Sequence, residues 1–280
     1  GIGTETLGSI VSPSMRCGAT GLRPTFGRVP RSGAMALCWS LDKIGPLCRS
    51  VEDALLVLDA IRGSDDGDPA SVDLPLNFEA NRPLSSLTLG YNPKWFEPRK
   101  NKEGKVVFDP ELDRNTLETA RELGLKLVEI ELPEWPYDAL VTILLVEAAA
   151  AFEELTLSNR DDELKWQAKE AWPNTFRQSR FTPGIEYVQA DRFRRRVCEM
   201  MAGQFQKIDA IIAPSFANSL LLITNNTGHP SLTIRNGFQD NGNPHGLTLI
   251  GNLYEEGTLC HIGMALEKEL GVSETRPTLS

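Results

Sequence analysis

Histidine is scarce in this chain: there are three in 280 residues, standing far apart at His229, His245 and His261. Metal centres built on paired histidines or on C-x-x-C need ligands at short, fixed spacing. None of the five cysteines, Cys17, Cys38, Cys48, Cys198 and Cys260, has such a neighbour, so no metal is expected. An odd number of scattered thiols also argues against a disulfide framework and fits a reducing compartment, which favours a cytoplasmic location. No G-x-S-x-G elbow is present to carry a Ser-His-Asp triad, and the histidines read as turn and surface residues. A phosphate-binding G-x-x-x-x-G-K-[ST] loop is missing too, and Gly1-Ile2-Gly3 leads into no dinucleotide fingerprint. Positive charge is in short supply: 29 Lys and Arg against 38 Asp and Glu leave a net charge of −9 and a pI near 5.0. That balance argues against nucleic acid or an anionic membrane as a partner. The longest apolar run, near residues 139–152, carries Glu147 and is too short to span a bilayer.

What the chain does have is a dense opening stretch. Gly3-Thr4-Glu5-Thr6-Leu7-Gly8-Ser9-Ile10 sets two hydroxyls, a carboxylate and two glycines just before a serine. A backbone turning sharply there aims its N–H groups at one point beside the hydroxyl, which is how a nucleophile and an oxyanion hole come to share one loop. By itself such a cluster is also ordinary turn chemistry.

The wider order decides between these readings. Gly3 to Ile10, then Pro13, Cys17-Gly18, Gly21-Leu22-Arg23-Pro24-Thr25, Gly27-Arg28 and Ser40-x-Asp42-x-x-Gly45-Pro46, resembles the amidase signature family, whose members cleave or transfer amides through a serine. The resemblance implies that Ser9 is the acylated nucleophile and that the main-chain N–H groups of Thr6, Leu7 and Gly8 form the oxyanion hole. Two positions depart from the pattern. Leu7 stands where the family has a glycine, and Val11 where it has an arginine, which changes how Glu5 is neutralised. The family's serine is helped by a second serine in a cis peptide and by a lysine, both upstream of the signature and neither among these residues. Residues 1–280 are therefore expected to be the C-terminal portion of a single amidase domain, inactive as they stand because an unassisted hydroxyl is a poor nucleophile. Lys43, the nearest lysine, is placed in a connector with no reason to face Ser9.

Taken in order, 9–31 reads as a turn-rich active-site loop and 41–46 as a short connector. A helix capped by Ser50 runs from there to Gly63, with Ala54, Leu55, Leu58 and Ile61 on its apolar face. Residues 64–73 read as a solvated acidic loop and 92–107 as an exposed one. A strand at 87–91, a helix capped by Asp109 with Pro110 first, and a strand at 125–132 imply a parallel pair with a crossover helix. Residues 137–157 read as one long helix, with Glu147 an exposed or capped carboxylate or, if buried, an acid-base candidate. Residues 159–184 read as irregular, with Trp166, Trp172, Phe176 and Phe181 as candidates for an acyl pocket. A second long helix spans 185–207 and bears the run Arg192, Arg194, Arg195 and Arg196. Asp209 to Pro214, then Thr227-Gly228-His229-Pro230, then Gly246-Leu247-Thr248-Leu249-Ile250-Gly251 and a terminal helix at 255–270 continue the family resemblance as strands and a closing helix.

The fold class expected is α/β, a mixed and largely parallel sheet flanked by helices. The function expected is hydrolysis of a small-molecule carboxylic amide, with no cofactor, and with a second copy of the chain as an open partner. The same signature occurs in glutaminase subunits of aminoacyl-tRNA amidotransferases, where an arginine clamps the glutamine carboxylate, and Arg194 falls near that position. A non-catalytic remnant is the reading of a different class.

Overall fold

The sheet is assembled around short strands that begin at the first residues. In the computed structural model, which describes residues 1–100, 106–108 and 110–276, β1 (Ile2–Glu5) leads through the Ser9 turn into α1 (Val11–Cys17), β2 (Thr20–Arg23) and β3 (Lys43–Cys48). The helix α2 (Val51–Ile61) follows, with the Ser50 hydroxyl accepting from the Asp53 N–H at 3.1 Å as its sequence predicts. Next come β4 (Thr88–Tyr91), the short ribbon β5 (Arg99–Lys100) and β6 (Val106–Phe108), α3 (Glu111–Glu122) and β7 (Lys126–Glu129). The expected cap Asp109 lies outside the described residues. Then follow α4 (Val141–Ala151), α5 (Glu153–Leu157), α6 (Trp172–Ser179), α7 (Gly184–Phe205), β8 (Ala210–Pro214), α8 (Leu220–Thr227), β9 (Ser231–Phe238), β10 (Pro244–Gly251) and α9 (Glu256–Leu270).

Eight strands form one mixed sheet in the order β1-β3-β2-β9-β10-β8-β4-β7. The α/β class and the mixed sheet flanked by helices stand, but the balance of pairing is the reverse of that expected. Parallel pairs are confined to β4 with β7 and β4 with β8, where α3 provides the crossover, and the rest of the sheet is antiparallel. β9 and β10 are joined by a tight turn, which forces the antiparallel register at the centre. The helices α2, α3 and α9 pack on one another over β2, β9 and β10, while α4, α6 and α7 form a second group that reaches the sheet region through α8.

Several segments differ from their sequence reading. The supposed connector at 41–46 is β3, and the supposed loop at 9–31 holds α1 and the buried strand β2. Their glycines serve close approach: a Cβ on Gly45 would stand 2.1 Å from the Leu22 carbonyl oxygen. The helix expected over 137–157 is a 3-10 turn, Tyr137–Leu140, followed by α4, a break at Phe152 and α5. Within 159–184, Trp172-Pro173 opens the regular helix α6. The 92–107 segment buries Trp95 and Phe96 in a 3-10 turn, and Asp68 of the acidic loop is buried against Arg31. No helix among the described residues is long and apolar enough to cross a membrane.

Candidate active site

Ser9 stands exposed on the turn between β1 and α1. The turn needs a left-handed residue before it, and Gly8 supplies one at φ +94°. Glu5, the last residue of β1, is fully buried and reaches past Ser9 to accept from the N–H groups of Ile10 at 2.7 Å and Val11 at 2.9 Å. One carboxylate thus ends the strand and caps the helix. On the other side of Ser9, the Thr6 hydroxyl donates to Asp42 at 2.6 Å, and Asp42 also accepts from the N–H groups of Leu37 and Cys38. The loop is gripped from both ends. Among the described residues the Leu7 and Gly8 N–H groups donate to no protein acceptor.

The charge on Glu5 is met by Arg23 of β2, whose Nη1 lies 2.6 Å from Oε1 with both side chains wholly enclosed. The Asn225 amide of α8 adds a second donor at 2.9 Å. Burial alone would raise the Glu5 carboxyl, but Arg23, with the Val11 N–H and Asn225, more than reverses that and holds it at about 2. Arg23 therefore takes the neutralising part left open by Val11. Its other nitrogen donates to the Thr224 hydroxyl and the His229 carbonyl, which binds the β2 end to α8 and the start of β9.

Lys43 does not sit in a connector. It is on β3, opposite Glu5 in register, fully buried, and it lines the cavity that holds Ser9. Its Nζ donates to the carbonyls of Leu41 and Asn225. Burial and the nearby Arg23 bring the ammonium down to about 7, against the pull of Glu5 and Asp42.

That cavity has a volume of about 610 Å³. Its polar floor is Thr4, Thr6, Ser9, Asp42 and Lys43, and its walls are Met35, Trp39 and neighbours on one side and Phe152, Leu155, Leu164, Trp172 and Phe176 on the other. Phe176 stacks on Phe152 with ring centroids 4.8 Å apart and on Trp172 at 5.5 Å, so the aromatic wall is one continuous stack. Of the four aromatics singled out from the sequence, Trp172 and Phe176 line this cavity. Trp166 and Phe181 do not, and are 57% and 86% exposed. Arg31 also lines it, but its guanidinium is taken up by Asp68 through two bonds of 2.8 and 2.9 Å. Arg194 lies elsewhere, on a smaller cavity with Phe26 and Tyr254, where it donates to the Ser40 hydroxyl and pairs with Asp191.

Glu147 is not exposed; it is a capped carboxylate. It is buried under the cavity wall and accepts from Ser40 N–H and hydroxyl, the Cys38 thiol and the Tyr187 hydroxyl. Burial pushes its carboxyl up, and these four donors together bring it below the ordinary value. It ties α4 and α7 to the 37–42 turn that holds Thr6. Two of the three histidines are not surface residues: His229 and His245 are buried, the first against Thr227 and the Phe205 ring, the second against Asp113, while His261 is half-buried beside the Arg82 carbonyl. None of the three lines the Ser9 cavity.

The family model described as Amidase matches residues 1–224. The chain belongs to the amidase signature family. Among its relatives, a glutamyl-tRNA(Gln) amidotransferase subunit from Thermosynechococcus vestitus is 29% identical over 99% of this chain and 66% of its own length. The corresponding protein of Rhodospirillum rubrum is 30% identical over 95% of this chain and 61% of its own. Among solved structures, the native peptide amidase from Stenotrophomonas maltophilia superposes with a TM-score of 0.75 at 28% identity, covering 96% of this chain and 62% of that one. The glutamyl-tRNA(Gln) amidotransferase subunit from Thermotoga maritima gives 0.76 at 25% identity, covering 95% and 61%. The chain spans 66% and 61% of the length of these two curated relatives.

Proposed function

We propose that residues 1–280 are the C-terminal portion of a serine amidase domain, and that Ser9 takes the acyl group of a neutral, largely apolar carboxylic amide. The Ser9 hydroxyl attacks the amide carbonyl, the N–H groups of Thr6, Leu7 and Gly8 receive the developing oxyanion, the amine leaves with a proton, and water releases the acid. The family resemblance assigns the proton relay to a lysine and a cis serine outside these residues.

The observation that carries the substrate reading is the Ser9 cavity itself. It is walled by stacked aromatics, and Arg31, the guanidinium that lines it, is already held by Asp68. A free amino acid such as glutamine needs its carboxylate met by an open, two-pronged donor. The relatives named for tRNA amidotransferase favour a second reading, a glutaminase subunit working with partners, in which Arg194 would be that donor. Its place on a different cavity, bonded to Ser40 and Asp191, supports the apolar amide instead.

Kinetics on the full-length protein test this. Aryl and alkyl amides are expected to be turned over with a higher kcat/KM than glutamine, and Ser9→Ala to abolish all turnover. Glutamine hydrolysed at least as efficiently, with a large loss on Arg194→Ala, would reverse the choice. A fully folded protein turning over no amide would leave the non-catalytic remnant.

A further inference from the structure

The reaction just described leaves the buried ammonium of Lys43 without a task. A cation taken wholly out of water is costly unless it is paired, and a carboxylate is its ordinary partner. Lys43 stands opposite Glu5, yet Nζ donates to two neutral carbonyls, of Leu41 and of Asn225. Both belong to the segments that grip the Ser9 loop. Leu41 immediately precedes Asp42, the acceptor for Thr6, and Asn225 carries the amide that donates to Glu5. The side chain is fully enclosed, and the residue lines the same cavity as Ser9.

The charges facing Lys43 come from each surrounding element: Glu5 on β1, Arg23 on β2, and Asp42 in the turn before β3. Of the other charged groups about it, Arg31 and Asp68 on the same cavity offset one another as a pair, and Glu147 is met by Cys38, Ser40 and Tyr187. The Cys38 thiol is pushed up to about 12 by burial and Glu147, and burial with Arg23 brings His229 down to about 3. While Lys43 is an ammonium, two cations offset two carboxylates. Once it is neutral, the cluster beneath the Ser9 loop carries a net negative charge.

We propose that Lys43 is a positioning residue for the Ser9 reaction: its ammonium balances Glu5 and Asp42, so that negative charge developing on the substrate oxygen meets N–H donors over a neutral base. This rests on the reading of Ser9 as the nucleophile. Lys43 does not take the serine proton; it acts through Asp42, Asn225 and the field under the loop. A unit charge on the order of 10 Å away, at an effective dielectric of about 20, alters such a rate roughly tenfold. Because burial holds the ammonium at about 7, that factor is lost as the pH rises through neutrality.

The test uses the full-length protein with Lys43→Arg and Lys43→Gln, following kcat and KM for a neutral aryl amide from about pH 6 to about pH 10. In parallel, the rate of Ser9 labelling by an aryl fluorophosphonate is read by intact mass, with Ser9→Ala as the blank. Wild type is expected to lose about tenfold in kcat and in labelling across neutral pH, with KM little changed. Lys43→Arg, charged throughout, should keep its rate to the alkaline end. Lys43→Gln should be flat and about tenfold low already at about pH 6. The proposal is overturned if folded Lys43→Gln matches wild type at the acid end, if Lys43→Arg keeps the wild-type decline, or if Ser9 of the wild type is not labelled. Should Lys43→Gln fail to fold, the Lys43→Arg profile decides. Labelling with these pH shapes but no amide turnover would retain the role of Lys43 and overturn the amidase reading alone.

Discussion

At the scale of single residues, Glu5 carries more structure than any other side chain near Ser9. It closes β1, caps α1, and receives Arg23 and Asn225, all out of contact with water. Removing one partner of a buried pair strands the other, so Glu5→Gln should cost about 3–5 kcal/mol in urea unfolding at neutral pH. Its carboxyl is held at about 2, below the unfolded value of 4.5. The stability it contributes is therefore complete above about pH 5 and is lost as pH falls toward 2, on the order of 3 kcal/mol in all. Lys43 has the opposite sign. Its ammonium titrates at about 7 in the folded chain against 10.5 when unfolded, so protonation opposes folding below 7, and the penalty is relieved as the pH rises toward 10. Lys43→Met should melt higher than wild type at about pH 6, with the gap closing by about pH 10. A gap independent of pH would mean that packing, and not charge, sets it.

At the scale of elements, the aromatic wall separates stability from selectivity. Phe176 is buried between Phe152 and Trp172, whereas Trp172 is 40% exposed at the edge of the stack. Phe176→Ala should cost about 3 kcal/mol in unfolding and also raise KM for aryl amides. Trp172→Ala should raise KM several-fold with a much smaller loss of stability, as thermal melts and steady-state kinetics measured together would show. Which elements could be read from the sequence follows from how local their causes are. The helix α2 announces itself by its Ser50 cap and apolar period, and β4 and β7 by short apolar runs on either side of the Pro110-led helix α3. In contrast, β2 and β3 were hidden by Gly45 and Pro46, which look like turn residues but here allow the strands to close on Pro24 and Leu22. The helix α8 was hidden by its Thr and Asn residues, whose side chains bond back to the preceding turn of the same helix. The order of Ser9 and its loop was legible because it is contiguous. Its supports were not: Arg23 reaches Glu5 across 18 residues and Asn225 across 220, and no periodicity records such pairings.

At the scale of the molecule, the proposed reading has the chain supply a nucleophile, an oxyanion loop and an acyl cavity, with the proton relay that the family resemblance implies coming from residues outside it. The 280 residues alone should therefore show Ser9-dependent amide turnover at least about a hundredfold below that of the full-length protein. Near-equal rates would mean that a base within these residues serves, and Lys43 would be the first to replace. The cavity also has a divided origin. Its reactive floor is written in residues 4–43 and anchored by buried charges, while its far wall is written in residues 152–176 and held by ring stacking. On the proposed reading, a lineage can then revise the wall, and with it the acyl group admitted, without retuning the electrostatics beneath Ser9. New specificities become reachable by single steps in one short stretch, each leaving the chemistry intact while the fit is altered.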